Sequence, residues 1–147
     1  MTPHVTAEHR VLVVEDDADI VVLLREAFTE CGLRPPILEA ADGDAALAYL
    51  EGVDPYQDRS LYPLPTLVLL DLKLPGRDGL EILEWIRAHE RFRQLPVVVL
   101  TSSASNQDME RAYSSGANSY LVKPPTFGEI TAMVQMLSTF WPVPREV

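Results

Sequence analysis

The feature that most constrains this chain is a set of short apolar runs without internal alternation: Val11-Leu-Val-Val14, Leu67-Val-Leu-Leu70, Val97-Val-Val-Leu100 and Tyr120-Leu-Val122, with a weaker Pro36-Ile-Leu38 between the first two. A strand with one wet face alternates apolar and polar residues, whereas a strand covered by helices on both faces does not. The runs therefore predict strands of a parallel sheet, buried on each side. The stretches between them carry helical spacing. Ile20, Leu23, Leu24, Ala27 and Phe28 fall on one stripe that stops near Gly32, and residues 44–51, 79–90, 106–115 and 126–140 give four more helices. Five strands alternating with five helices predict a doubly wound α/β domain with strand order 2-1-3-4-5.

The 147 residues suit one compact core, expected over residues 10–141 between tails at 1–9 and 142–147, with no room for an output domain. Twenty-two Asp and Glu against 12 Lys and Arg give a net charge of -10, which argues against nucleic acid or an anionic membrane as partner. No apolar run approaches the roughly 18–20 residues that span a bilayer. The first ten residues include His4, Glu8 and His9 and lack a secretory apolar region, so a soluble cytoplasmic protein is expected. Cys31 is the single cysteine, without a partner for a disulfide or a thiolate zinc site, and reads as a buried thiol. The connection at residues 52–65 exceeds the usual length and predicts a surface excursion.

A parallel sheet opens all strand C-termini onto one edge, and here the runs deliver Glu15 and Asp16, Asp71, Thr101 and Lys123 to it. With order 2-1-3-4-5 the crevice lies between the first and third strands, so Glu15 and Asp16 face Asp71. Three converging carboxylates repel one another, and the least costly remedy is a divalent cation of the Mg²⁺ type, which prefers oxygen ligands. Thr101 and Lys123 add a hydroxyl and a point charge suited to a phosphoryl group. Taken alone, Asp16 or Asp17 could simply cap the helix beginning near Ala18, Lys123 could only offset the acidic edge and Thr101 could only cap. An acid directly after Leu67-Val-Leu-Leu70 is different, because burial there is costly without a role.

Val13-Val-Glu-Asp-Asp17, Leu69-Leu-Asp-Leu-Lys-Leu-Pro-Gly-Arg-Asp-Gly79, Val99-Leu-Thr-Ser102 and Gly116-Ala-Asn-Ser-Tyr-Leu-Val-Lys-Pro124 together resemble a response-regulator receiver domain of the CheY-like family, over residues 10–141. The long connection at 52–65, the Asn118 to Pro124 stretch and the Phe140-Trp141 ending are most similar to single-domain regulators that accompany bacterial and cyanobacterial phytochrome kinases. The resemblance implies Asp71 as phosphoacceptor. It implies Mg²⁺ held directly by Asp16, by Asp71, by Glu15 through water and by the backbone carbonyl of Lys73. It further implies Thr101 and Lys123 on the phosphoryl group, Tyr120 as a switch moving with Thr101, and a cis Lys123-Pro124 bond. The expected donor is a sensor histidine kinase, with a bacteriophytochrome as the narrower expectation. The chain would be no enzyme in the ordinary sense, but a phosphoacceptor that assists its own phosphorylation and dephosphorylation.

Rival readings fare less well. A flavodoxin-like carrier needs a Ser, Thr and Gly-rich first loop, where Glu15-Asp-Asp17 would repel a phosphate. A phosphatase of the haloacid dehalogenase type needs a second acid two residues after the nucleophile, and Lys73 stands there. Ser102, Ser103 and Ser105 lack a nucleophile elbow, and Trp85, Trp141 and His89 read as packing or exposed residues. The serious alternative is an interaction module of the same fold that works without phosphorylation. In the last helix Phe127, Ile130, Val134, Leu137 and Trp141 form a stripe able to cover the sheet, and Met133, Met136 and Phe140 a second stripe beside it, which predicts a homodimer through that helix and its neighbours unless the stripe packs under the 142–144 tail.

Overall fold

The computed structural model describes residues 9–32 and 36–139. Both expected tails, apart from His9, lie outside these residues, as do Phe140 and Trp141. Five parallel strands, β1 (Val11–Val14), β2 (Ile37–Ala40), β3 (Leu67–Leu70), β4 (Val97–Thr101) and β5 (Ser119–Val122), form one sheet in the order β2-β1-β3-β4-β5. Between and after them run α1 (Ala18–Glu30), α2 (Gly43–Glu51), α3 (Gly79–Ala88), α4 (Asn106–Ser114) and α5 (Phe127–Thr139). The third helix stops at Ala88 and continues as a short 3₁₀ turn, Glu90–Phe92.

The sheet separates two apolar layers. Val11 and Val13 point to α1 and α5, packing with Leu24, Phe28, Val134 and Leu137, while Leu12 and Val14 point to α2 and α3, packing with Tyr49, Leu50, Ile82 and Ile86. Burial on both faces holds for β1, β3 and β4, but the edge strands differ: Ile37, Leu38 and Leu121 are half-buried and Val122 is 42% exposed. An edge strand has a helix over only part of its width, so its apolar run is not fully covered. Where α5 packs, the expected stripe is rotated: Ile130, Met133, Val134 and Leu137 are buried, whereas Phe127 is 37% and Met136 46% exposed. Met133 thus belongs to the core and Phe127 does not.

Helix starts follow the capping rule. Asp17, Asp42, Asp78 and Ser105 each accept a backbone N–H of the first turn, and Asp78 forms a reciprocal capping box with Glu81. Gly52 closes α2 at φ 75°, a left-handed position that suits glycine. The 52–65 connection is folded back on α2. Arg59 donates to the carbonyls of Tyr49, Leu50 and Tyr62 at 2.9–3.0 Å, and the rings of Tyr49, Tyr56 and Tyr62 pack at 5.0–5.9 Å. Trp85 packs against the core on the α2–α3 side, and His89 stacks on it at 4.2 Å rather than standing free on an exposed face. Cys31 is half-buried, not fully buried, and burial pushes its thiol pKa up.

Candidate functional site

The strand ladder continues for one residue past β1 and β3, because Glu15 N donates to Ala40 O at 3.0 Å and Asp71 N to Val14 O at 3.1 Å. Glu15 and Asp71 therefore leave adjacent strands side by side at the point where the strand order reverses. A carboxylate oxygen from each, and one from Asp16, lie within 4.8 Å of one another. Glu15 and Asp71 are buried and Asp16 is exposed. Oxygen donors at this spacing, with one open to solvent, fit a hard divalent cation that retains waters. The chain's own partial remedy is Lys123, whose Nζ lies 2.8 Å from Glu15 Oε1 and 3.0 Å from Asp71 Oδ2.

One ammonium serves two carboxylates, and the titration behaviour reflects it. Burial pushes the Glu15 pKa up, and the hydrogen bonds from Lys123 and from the Asp17 N–H pull it back only in part. Burial pulls Lys123 down, but its bonds to Glu15 and Asp71 outweigh this and leave it raised. Lys123 is aimed by β5, since its N–H donates to Thr101 O at 2.8 Å. The Lys123-Pro124 bond is not cis, contrary to expectation; the cis bond among the described residues is Asp54-Pro55. The strand direction already carries the lysine to both acids, and trans is the intrinsically favoured isomer.

The remaining expected residues gather on the same edge. Asp71 Oδ1 accepts from the Lys73 N–H at 3.1 Å, which turns the chain sharply after β3. Gly79 lies so close that a Cβ there would sit 2.3 Å from Asp71 O, so glycine lets the start of α3 press against the acid's backbone. Thr101 is fully buried, with Oγ1 3.5 Å from Ser103 N. Tyr120 points inward, 8% exposed, and its hydroxyl donates to Ser103 O at 2.8 Å. Asp17 caps α1 and stays outside the acidic cluster.

Two partners were not evident from the sequence. Ser103 donates its hydroxyl to Asp108 Oδ2 at 2.6 Å, and Lys73 Nζ lies 3.8 Å from the same oxygen. The Ser103 hydrogen bond, aided by the charges of Lys73 and Arg111, holds the Asp108 pKa below its ordinary value. The spacing of Ser103 and Asp108 across the start of α4 is the signal that could have found them: the N-cap at Ser105 brings the two together.

The model of a response regulator receiver domain matches residues 11–135. The Probable methanogenesis regulatory protein FilR2 of Methanothrix harundinacea (strain 6Ac) is 42% identical over 131 residues, covering 89% of this chain and 82% of its own. Response regulator Rcp1 of Synechocystis sp. (strain ATCC 27184 / PCC 6803 / Kazusa) is 34% identical, covering 89% of this chain and 87% of its own. The crystal structure of the Mn²⁺-bound form of Rcp1 matches with a TM-score of 0.82 at 33% identity, over 95% of this chain and 99% of that one. That of the phosphorylated cyanobacterial phytochrome response regulator RcpA matches with a TM-score of 0.83 at 29% identity, over 95% and 99%.

Proposed function

The chain belongs to the response regulator receiver domain family, and on that premise we propose that Asp71 accepts a phosphoryl group from a sensor histidine kinase in a two-component phosphorelay. The observation that carries this reading is the placement of Asp71: a buried carboxylate at a strand end, beside two further acids and one lysine, on the open edge of the sheet. A buried acid in such company is costly to keep unless its charge is used. In the transfer, a carboxylate oxygen of Asp71 bonds to phosphorus as the bond from phosphorus to the kinase imidazole nitrogen breaks, and that nitrogen keeps the electron pair. Most of the work is then positioning and electrostatics.

Asp16, Asp71, the Lys73 carbonyl and, through water, Glu15 would hold Mg²⁺. Bound there, the ion would offset the charge of the acceptor and of the incoming phosphoryl oxygens. The product carries about two negative charges where the carboxylate carried one. Lys123 can pass from the two carboxylates to the phosphoryl group and the Thr101 hydroxyl can donate to it, while Tyr120, already inward on Ser103 O, is the switch residue that locks in place when Thr101 engages. In this way the domain, bounded by residues 10–141, assists its own phosphorylation and dephosphorylation.

The likeness to the cyanobacterial phytochrome response regulator RcpA supports a phytochrome as the kinase, with a bacteriophytochrome as the narrower reading and the cytoplasm as the proposed place of action. Exposed Val122, Phe127 and Met136 leave apolar surface on β5 and α5, which supports a homodimer through the last helix and its neighbours. No helix among the described residues is long and apolar enough to cross a membrane. Intact-mass analysis after incubation with acetyl phosphate and Mg²⁺ tests the reading: one phosphoryl group is expected on the parent and none on Asp71→Asn. Equal labelling of the variant contradicts it, and no labelling of either favours the phosphorylation-independent module.

A further inference from the structure

Ser103 is tied through its hydroxyl and through its carbonyl. Its hydroxyl donates to Asp108 at 2.6 Å and its carbonyl accepts from Tyr120 at 2.8 Å, while Ser105 N lies 3.3 Å from the Ser103 hydroxyl and Thr101 Oγ1 lies 3.5 Å from Ser103 N. The loop after β4 is thereby pinned from two directions, from α4 below and from β5 beside it. Both anchors are shielded: the Asp108 side chain is 19% exposed and Tyr120 8%. Lys73, two residues beyond Asp71, approaches the same Asp108 oxygen at 3.8 Å, so the acceptor's own loop is drawn to the same point.

We propose that Asp108 is a positioning residue for phosphoryl transfer: by holding Ser103 it presets the Thr101 loop, and keeps Tyr120 inward, before any phosphoryl group arrives. This rests on Asp71 as the acceptor. The contact from Ser103 to Asp108 is a charge-assisted hydrogen bond, the stronger class, and it acts two residues from the hydroxyl that must meet the phosphoryl oxygens. A loop held in the receiving conformation has no ordering left to do at the moment of transfer, whereas a free loop offers that conformation only part of the time. Asp108 touches neither acceptor nor donor. Its influence runs through Ser103.

The test follows the rate of phosphoryl uptake from acetyl phosphate, together with the ring resonances of Tyr120, assigned by Tyr120→Phe. Ser103→Ala and Asp108→Ala should each slow uptake by about tenfold, the scale of one charge-assisted hydrogen bond, and move the Tyr120 signals toward those of an exposed ring. The double variant should lose no more than either single one, and Asp108→Asn, which still offers Ser103 a neutral acceptor, should lose less than Asp108→Ala, about threefold. Asp108 also lies in the first turn of α4, but weakening that helix would not be reproduced by Ser103→Ala. Unchanged Tyr120 signals and rate in Ser103→Ala, or additive losses in the double variant, would overturn the proposal. The Tyr120 signals need no phosphoryl group, so a parent that takes none up refutes the acceptor and leaves the ring signals alone to decide on Asp108.

Discussion

Replacing Lys123 by Met removes the one ammonium between Glu15 and Asp71 while keeping most of the length of the side chain. The two ion pairs it makes are 2.8 and 3.0 Å long and join side chains 3% and 5% exposed to a lysine 18% exposed, so solvent screens them weakly. At an effective dielectric of about 20 each pair has a gross Coulomb energy of about 6 kcal/mol. Desolvation of the lysine offsets much of it, and removing one partner of a buried pair typically costs about 3–5 kcal/mol. Lys123→Met should therefore lose about that much in urea unfolding with chelator present. Excess Mg²⁺ should return more stability to the variant than to the parent, because in the variant no ammonium competes for the acids; tenfold tighter binding alone is worth about 1.4 kcal/mol. The pH dependence has a definite sign. Lys123 is raised in the fold, so its contribution is full below its unfolded pKa of about 10.4 and fades as pH rises through the folded value. Glu15 is raised as well, so acidification that protonates it should shrink the cost of the variant. A loss under about 1 kcal/mol, the size of a surface ion pair, or a smaller response to Mg²⁺ than the parent shows, would refute the reasoning.

Tyr49 is 1% exposed, donates to Pro63 O at 2.9 Å, and burial lifts its pKa to about 12. Parent stability should fall by up to about 1.4 kcal/mol per pH unit between its unfolded pKa of about 10 and that value, and Tyr49→Phe should remove this component of the slope in alkaline urea titrations. Gly79→Ala puts a Cβ 2.3 Å from Asp71 O and 2.7 Å from Leu72 Cα; thermal melts should show a loss above about 2 kcal/mol, since backbone atoms cannot yield as a flexible side chain can. If α5 pairs two copies, Met136→Glu should give a monomer by light scattering where the parent is a dimer, and a monomeric parent at tens of micromolar would contradict the pairing.

Much of this architecture was legible because it depends on period and punctuation. Unalternating runs announced the three central strands, and the acids after the first run marked the start of α1, now seen capped by Asp17. The gathering of Glu15, Asp16, Asp71, Thr101 and Lys123 followed from topology alone, since parallel strands end on a common edge. What escaped depends on depth and angle. The rotation of α5 that buries Met133 and exposes Phe127 is set by how the helix crosses the sheet, which a helical stripe does not encode. The sharing of Lys123 between Glu15 and Asp71 depends on how far each side chain reaches past its strand. Arg59 on the α2 carbonyls is a fold-back contact with no periodic trace, and the Ser103 to Asp108 bond needs the turn of α4 before the two residues meet.

Chemical localisation decides whether the phosphoryl group resides on Asp71. After phosphorylation by acetyl phosphate and Mg²⁺, borohydride reduces an aspartyl phosphate to homoserine, which peptide mass spectrometry can place in the chain. Homoserine is expected at position 71, and none there when chelator is present during phosphorylation. Homoserine at position 16, 5-hydroxynorvaline at position 15, or a phosphoryl group that resists borohydride because it sits on a serine or threonine, would contradict Asp71 as the acceptor.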